Sequence, residues 1–280
     1  MSNLAARVLS AVVMVPLIVA AVLRLPEPWW GIAVGLVAAL AAREILVIAV
    51  HAGMAVSPFV PIAAFGLATL GGGMVPATVR HDADVTLAAV IIVVVVAFLD
   101  QLVRPPDRRS AAAWGLAVAV PIYVGGLASF LIQLRDLDDG PGLVLFMLFL
   151  VWTNDSAAYF GGRAFGRHPL APALSPKKTW EGLLAGTVGT VVVGLGLAWT
   201  AAHLSPIALT VPSLLYVMAV CIAVSAAGPL GDLSHSFIKR QFGAKDSSHL
   251  IPGHGGVWDR IDSLLFAAPV VYLAARLLGA

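Results

Sequence analysis

Nine apolar stretches of spanning length follow one another along this chain, and they constrain its fold more than any other feature. An α-helix needs roughly 20 apolar residues to cross a bilayer. Lipid offers the backbone no hydrogen-bonding partner, so each crossing stretch must be helical. We therefore predict an all-α, polytopic integral membrane protein with about nine transmembrane helices. The predicted spans are Val8–Leu23, Trp30–Val50, Pro58–Ala77, Val85–Val103, Trp114–Leu134, Gly142–Phe160, Gly182–Ala202, Val211–Gly228 and Ser263–Leu278.

The composition agrees with a membrane setting. Of the 280 residues, 60% are hydrophobic and 11% are charged, whereas soluble domains have about 45–50% apolar and about 25% charged residues. The stretch before residue 24 resembles a signal peptide, but its apolar run is long and no clear cleavage site follows. We interpret it as an uncleaved first span. The single cysteine, Cys221, lies in an apolar run and excludes a disulfide within the chain.

The lysines and arginines between the spans predict the orientation. With a cytoplasmic N-terminus, eleven of them fall in inside segments and four in outside segments. Cytoplasmic segments are enriched in positive charge, so we expect a multi-pass protein of the cell's inner (plasma) membrane with its N-terminus inside. The inside set is Arg7, Arg104, Arg108, Arg109, Arg163, Arg167, Lys177, Lys178, Lys239, Arg240 and Lys245, and the outside set is Arg24, Arg80, Arg135 and Arg276. The net charge is only +2, and we expect no nucleic-acid partner.

Two long polar loops, residues 161–181 and 231–262, stand out from the short connections elsewhere. Both fall on the predicted cytoplasmic side. We therefore divide the chain into N-terminal transmembrane helices, residues 1–134, and a C-terminal transmembrane catalytic region, residues 135–280, that carries both loops. Arg43 and Glu44 lie in the middle of a span; they could pair with each other, and we assign them no catalytic role.

The second loop combines carboxylates with basic residues. Asp232 follows the eighth span, and Asp259 and Asp262 are three residues apart, so they share a face if the last helix begins near Trp258. Mg²⁺ in proteins is usually held by one or two carboxylates, with substrate phosphates and water. Lysine and arginine neutralise the remaining phosphate charge. The pattern predicts a phosphate site with a hard metal ion.

The histidines of this loop do not favour zinc. No second histidine or cysteine stands at zinc-ligand spacing from His254 on a recognisable helix or strand. We expect His254 to have a structural or nucleotide-contacting role, and we interpret His235 and His249 as loop residues.

The first loop adds further charge at the end of the sixth span. Asp155 precedes Arg163 and Arg167, and Lys177 and Lys178 precede an aromatic residue. Adjacent lysines are common on solvated faces. Together with Asp155 and the second loop, however, they would form one basic cleft able to hold a metal.

The segment Ser236–Asp262, "SFIKRQFGAKDSSHLIPGHGGVWDRID", resembles the signature of the phosphatidate cytidylyltransferases, also called CDP-diglyceride synthases. The segments around Asp155–Phe160 and Ser175–Gly182 are also similar to that family. The resemblance is strong from Asp155 onward, and the first 130 residues or so resemble the family only in hydropathy. The signature positions are met by Ser236, Lys239, Arg240, Lys245, Asp246, His254, Gly255, Gly256, Asp259, Arg260 and Asp262.

The resemblance implies a reaction, its cofactors and its site residues. Phosphatidate would attack the α-phosphorus of CTP, giving CDP-diacylglycerol and pyrophosphate at the cytoplasmic membrane face. It implies Mg²⁺, a monovalent cation such as K⁺ beside it, and a homodimer. The implied metal ligands are Asp232, Asp259 and Asp262. The implied catalytic residues are Asp232, Asp246, Asp259, Lys239, Arg240 and Arg260, and the implied substrate-binding residues are Lys177, Lys178, Lys245, His254, Gly255, Gly256, Ser236 and Asp155.

Two other functions are compatible with the residues alone. In a transporter, the charges would mark an ion path, although transporter charges lie near the bilayer midplane. A CTP-using lipid kinase, or a cytidylyltransferase for another lipid phosphate, would share the same membrane setting.

Overall fold

The structure is a computed structural model that describes residues 3–74, 82–204, 213–248, 250 and 255–277. Ten α-helices and one short hairpin make up its regular structure in this part of the chain. A 3₁₀ turn, Pro106–Arg108, precedes α5, and a π-helical turn, Ile122–Gly126, joins α5 to α6. In chain order the elements are α1 Asn3–Arg24, α2 Glu27–His51, α3 Val60–Gly71, α4 Asp82–Val103, α5 Ala111–Pro121, α6 Leu127–Arg135, α7 Gly140–Phe165, β1 Pro169–Ala171, β2 Ser175–Thr179, α8 Trp180–Leu204, α9 Leu214–Gln241 and α10 Trp258–Leu277.

The predicted all-α membrane class is confirmed. Each of the nine predicted stretches overlaps a helix. Within the described ranges, six helical segments are long and apolar enough to cross a membrane. They are Glu27–His51, Val85–Val103, Ala111–Arg135, Gly140–Phe165, Trp180–Ala201 and Leu214–Gln241.

The third predicted span is shorter in the structure than in the sequence pattern. α3 has 12 residues, which is about 18 Å of helix, against a hydrocarbon core of about 30 Å. It ends in a Schellman motif, in which the Met74 N–H donates to the Thr69 carbonyl and Gly73 has φ +83°. Glycine can adopt this left-handed conformation without strain, so the glycine run at 71–73 stops the helix.

The chain forms two compact units. One comprises Met1–Gln133 with Gln241–Arg260, and the other comprises Leu134–Arg240 with Ile261–Ala280. The stretch 241–260 therefore belongs to the same compact unit as the N-terminal helices. α10 begins in the first unit and continues into the second.

Both predicted loops contain regular structure. α7 continues to Phe165, and the chain then forms an antiparallel hairpin in which Pro169 pairs with Thr179. α9 continues to Gln241, so the first part of the predicted loop 231–262 is helical. α9 thus continues past Gly228, where the predicted eighth span ends, and through Pro229, because membrane helices tolerate proline where their surroundings re-satisfy the freed backbone groups.

Small residues bring α7 and α8 together in the second unit. A β-carbon at Gly189 would lie 2.7 Å from the β-carbon of Ala157, and a β-carbon at Gly186 would lie 2.6 Å from Oδ1 of Asn154. Close approach through small residues is the usual way in which membrane helices associate. It places Asn154 and the hairpin beside the first turns of α8.

Candidate active site

A cavity of about 450 Å³ lies in the second unit, between α7, the hairpin, α8 and α9. One part of its wall is apolar and the other part is charged. The charged part comprises Arg163, Lys177 and Lys178 against Asp155 and Asp232. Three cations thus face two carboxylates, and this balance suits an anionic ligand. The apolar and small lining residues are Ala158, Tyr159, Gly162, Leu170, Gly182, Leu183 and Pro229.

Lys178 and Asp232, two of the charged lining residues, form an ion pair. Nζ of Lys178 lies 2.6 Å from Oδ2 of Asp232, and the two side chains are 24% and 40% exposed. Lys177 and Lys178 are adjacent on β2, and both line the cavity. The hairpin itself is tied to α8 by Glu181, which accepts the backbone N–H groups of Arg167 at 3.0 Å and His168 at 3.2 Å.

Asp232, His235 and Asp262 form a group whose ligand atoms all lie within 4.8 Å of one another. Nδ1 of His235 is 3.1 Å from Oδ2 of Asp262, and both residues are buried. Two carboxylates and an imidazole are a donor set that binds a divalent cation, and the carboxylates suit Mg²⁺ in particular. The residues present therefore fit the metal that the sequence implies.

Gly231 explains how α9 and α10 approach closely enough to build this group. A β-carbon at position 231 would collide with the backbone carbonyl of Asp262. Only glycine leaves room for that contact. The absence of a side chain at Gly231 therefore allows the side chains of Asp232 and Asp262 to lie close together.

A second polar cluster lies in the first unit, around the start of α10. Oδ2 of Asp259 accepts the backbone N–H groups of Gly256 at 2.9 Å and Ser247 at 3.2 Å, and it lies 2.5 Å from Oγ of Ser247. Gly255 has φ +80°, a conformation that favours glycine. A β-carbon at Gly256 would collide with Oγ of Ser247 and Oε2 of Glu44. The backbone conformation at Gly255 and the close contacts at Gly256 explain why glycine occupies these two signature positions.

Glu44 is the member of this cluster that sequence reasoning missed. It is 4% exposed, and its carboxylate accepts the backbone N–H groups of Val257 and Trp258, both at 2.9 Å. The Ser248 hydroxyl donates to it at 2.6 Å, and the Ser247 hydroxyl lies 3.0 Å away. The sequence does contain a sign of this role, namely a carboxylate within a predicted membrane span. Charged groups inside membranes are costly and tend to be functional.

The three predicted metal ligands have different surroundings in the structure. Asp232 and Asp262 belong to the metal-competent group with His235, whereas Asp259 binds the backbone of its own loop. His235 is buried on α9 at 3% exposure, so its interpretation as a loop residue was wrong. His235 was placed in a loop because the predicted eighth span ends at Gly228, whereas α9 continues to Gln241.

The remaining predicted residues have diverse surroundings. Oγ of Ser236 donates to Oδ1 of Asp232 at 3.4 Å. Lys239 and Arg240 lie in the last turn of α9, and both make contacts there. Lys245 and Asp246 are exposed in the segment after α9, and Arg260 is exposed on α10. His249, His254 and Arg80 lie outside the described residues.

The fold and the site define a polytopic helical membrane protein with a basic cavity next to a metal-competent carboxylate group. The chain belongs to the cytidylyltransferase family, whose model matches residues 5–278. This confirms the resemblance on which the sequence analysis relied.

Curated relatives agree with the family. The chain is 40% identical over 167 residues to the phosphatidate cytidylyltransferase of Brucella suis biovar 1 (strain 1330), an alignment that covers 59% of this chain and 58% of the relative. It is 48% identical over 128 residues to that of Haemophilus influenzae, covering 45% and 43%. It is 36% identical over 164 residues to that of Bacillus subtilis (strain 168), covering 58% of each. These alignments span less than two thirds of the relatives' own length.

Proposed function

We propose that this protein transfers a cytidylyl group from CTP to phosphatidate, giving CDP-diacylglycerol and pyrophosphate in phospholipid biosynthesis. The observation that carries the proposal is the cavity in which Lys178 contacts Asp232, next to the group formed by Asp232, His235 and Asp262. The family and the names of the curated relatives support the same activity.

The chemistry needs charge neutralisation more than it needs a base. The nucleophile is a phosphate oxygen of phosphatidate, which is already ionised near neutral pH. It forms a bond to the α-phosphorus of CTP, while the bond from that phosphorus to the oxygen bridging to the β-phosphorus breaks and pyrophosphate leaves. No proton needs to be removed, so the barrier is dominated by repulsion between anions, and positioning and electrostatics supply the catalysis.

The cavity residues divide this work by position. Arg163, Lys177 and Lys178 would bind phosphate oxygens and reduce the repulsion between the two substrates. The apolar wall at Leu170, Leu183 and neighbouring residues would accept the part of the lipid next to its headgroup. Lys178 would exchange its contact with Asp232 for a substrate phosphate when the substrates bind.

Asp232 and Asp262 would hold Mg²⁺, and His235 would bind the ion or orient Asp262. When bound, Mg²⁺ supplies Lewis-acid stabilisation of charge on phosphoryl oxygens. Our proposal also includes a monovalent cation such as K⁺, a homodimer and a site facing the cytoplasm, all of which follow from the family resemblance and the charge distribution. CTP is made in the cytoplasm and phosphatidate lies in the membrane, so a site at helix ends would be accessible to both.

The test is the fate of labelled CTP. Purified protein in phosphatidate vesicles with Mg²⁺ should move the label of [α-³²P]CTP into the lipid phase and release one pyrophosphate per lipid product. A lipid kinase would instead move the γ-label and release CDP, and a transporter would move neither label into lipid.

Asp232→Asn provides the site-specific arm of the same assay. It should lower turnover at least about 100-fold, because it removes a metal-binding charge. Asp138→Asn, an exposed acidic residue outside the cavity lining, is the matched control and should behave like the parent. Unchanged turnover in Asp232→Asn would refute the proposed site.

A further inference from the structure

Asn154 is a buried polar side chain in the cavity wall that the proposed chemistry does not use. It is 1% exposed on α7. Its Oδ1 accepts the hydroxyl of Thr190 on α8 at 3.5 Å. Its Nδ2 is buried and has no hydrogen-bond partner among the residues that the structure describes.

An unsatisfied buried donor calls for an acceptor. Leaving such a group without a partner is unfavourable, and buried polar groups in folded proteins are nearly always hydrogen-bonded. Asn154 lines the cavity together with Lys178 and Asp232. A bound ligand can therefore provide the missing acceptor.

The position of the donor identifies the part of the ligand that it meets. A β-carbon at Gly228 on α9 would have Nδ2 of Asn154 as its nearest neighbour, at 3.5 Å. Gly228 precedes Asp232 by four residues, which is about 6 Å along the helix. The amide therefore lies about one helical turn from the carboxylate next to which the phosphate would bind.

Phosphatidate offers a strong acceptor at this distance from its phosphate. Each fatty acyl chain is joined to glycerol by an ester, and the carbonyl oxygens lie a few bonds beyond the phosphate on the side of the acyl chains. Asn154 lies eleven residues before the end of α7 at Phe165, about 16 Å into a membrane-spanning helix. An ester carbonyl is the acceptor that a diacyl lipid can place there, and a dialkyl ether lipid has none.

We propose that the side-chain amide of Asn154 donates a hydrogen bond to an ester carbonyl oxygen of bound phosphatidate and so selects diacyl over dialkyl lipids. The inference rests on the proposed function for the identity of the lipid. Thr190 keeps the amide oriented by occupying Oδ1. Asn154 is thus a specificity-determining residue that takes no part in the transfer of the cytidylyl group.

The experiment compares a diacyl phosphatidate with the dialkyl lipid of the same chain length. One hydrogen bond corresponds to about tenfold in kcat/KM, and we expect the parent to favour the diacyl lipid by about that factor, mainly through KM. Asn154→Ala should lose activity on the diacyl lipid and keep its activity on the dialkyl lipid, so that the ratio falls towards one. Asn154→Leu, which keeps the volume, should do the same.

Ser225→Ala is the matched control. Ser225 is equally buried at 1% in the same unit and makes a hydrogen bond at 3.1 Å to Thr187, but it does not line the cavity. It should keep the diacyl preference even if it lowers the thermal midpoint. Equal rates on both lipids in the parent, or an unchanged ratio in both Asn154 variants, would overturn the proposal.

Equilibrium binding separates this inference from the proposed function. The affinities of the parent and the Asn154 variants for both lipids are measured without CTP. If neither lipid yields a CDP-linked product, the proposed function fails. The inference then stands if the parent binds the diacyl lipid about tenfold more tightly and Asn154→Ala does not, and it falls if both bind the two lipids equally.

Discussion

Oε2 of Glu44 accepts the backbone N–H of Trp258 at 2.9 Å, although the two residues are 214 positions apart in the chain. Glu44 lies about two turns before the C-terminal end of α2, and Trp258 is the first residue of α10. The first N–H groups of a helix have no partner within the helix, and the positive end of the helix dipole favours a carboxylate. Glu44 thus completes the N-terminus of the helix that carries Asp259 and Asp262.

Glu44→Ala should destabilise the protein and lower its activity. The substitution leaves the Val257 and Trp258 N–H groups and the Ser248 hydroxyl without their acceptor, and we expect the free energy of unfolding to fall by roughly 2–4 kcal/mol. The thermal midpoint in detergent and the rate of lipid labelling are the measurements. Glu44→Gln, which keeps one acceptor oxygen, should lose less.

Arg43→Gln is the control for this prediction, because Arg43 is exposed next to Glu44. It should leave the midpoint within about 1 °C of the parent. A Glu44→Ala protein as stable as the parent would show that the carboxylate does not support the start of α10.

His235→Ala should raise the Mg²⁺ concentration needed for half-maximal activity. Its Nδ1 lies 3.1 Å from Oδ2 of Asp262, and both side chains belong to the group with Asp232 in which we propose that Mg²⁺ binds. Loss of a residue that orients a metal ligand typically costs 10–100-fold in metal affinity or activity, so we expect a shift of about tenfold or more. His203→Ala is the control, since His203 is exposed on α8 and stacks on Trp199. An Mg²⁺ titration that is unchanged in His235→Ala would show that this histidine does not belong to the proposed metal site.

Gly231→Ala should impair both stability and metal binding. The added methyl group would collide with the Asp262 carbonyl, and overpacking of this kind costs about 1–3 kcal/mol. The measurements are the thermal midpoint and the Mg²⁺ titration. Gly196→Ala on α8, where nothing lies within 4 Å of the new β-carbon, should be tolerated. If both variants behave alike, the contact between Gly231 and Asp262 is not needed.

The predicted orientation can be tested with single cysteines, because the chain's own Cys221 is buried. Asp107→Cys lies in the segment predicted to be cytoplasmic, and Asp138→Cys lies in a segment predicted to be outside. Both aspartates are exposed. In intact cells an impermeant maleimide should label Asp138→Cys alone, and Asp107→Cys should react only after permeabilisation. The opposite labelling pattern would show that the chain has the reverse of the predicted orientation.

The sequence predicted the helices better than it predicted their ends. The apolar runs lie within or over the helices because backbone in lipid has few alternatives to helical hydrogen bonding. The ends depend on tertiary contacts, as at α9, which passes through Pro229 and carries Asp232, His235 and Ser236 on a helix. α3 ends early for the opposite reason, since its glycine run adopts a local cap.

Residue chemistry in the sequence selected Asp232, Asp259, Asp262, Lys177 and Lys178 as candidate site residues. Residue chemistry alone did not show which of these side chains lie close together in the folded protein. The signature presents Asp259 and Asp262 as equivalent, yet Asp259 accepts N–H groups from its own loop while Asp262 pairs with His235. Which atoms a carboxylate contacts depends on its neighbours in space, and one-dimensional spacing does not contain that information.

By itself, then, the sequence determined that the chain is a helical membrane protein of a recognisable family, because hydropathy and a dense local signature do not depend on how helices pack. Only the tertiary structure decided that Glu44 accepts N–H groups at the start of α10 and that Asn154, in the cavity lining, has a buried amide nitrogen without a partner among the described residues. Both features arise from contacts between different helices, which the order of residues along the chain does not specify. The role of a buried polar side chain can be assigned only when the groups that it contacts are known.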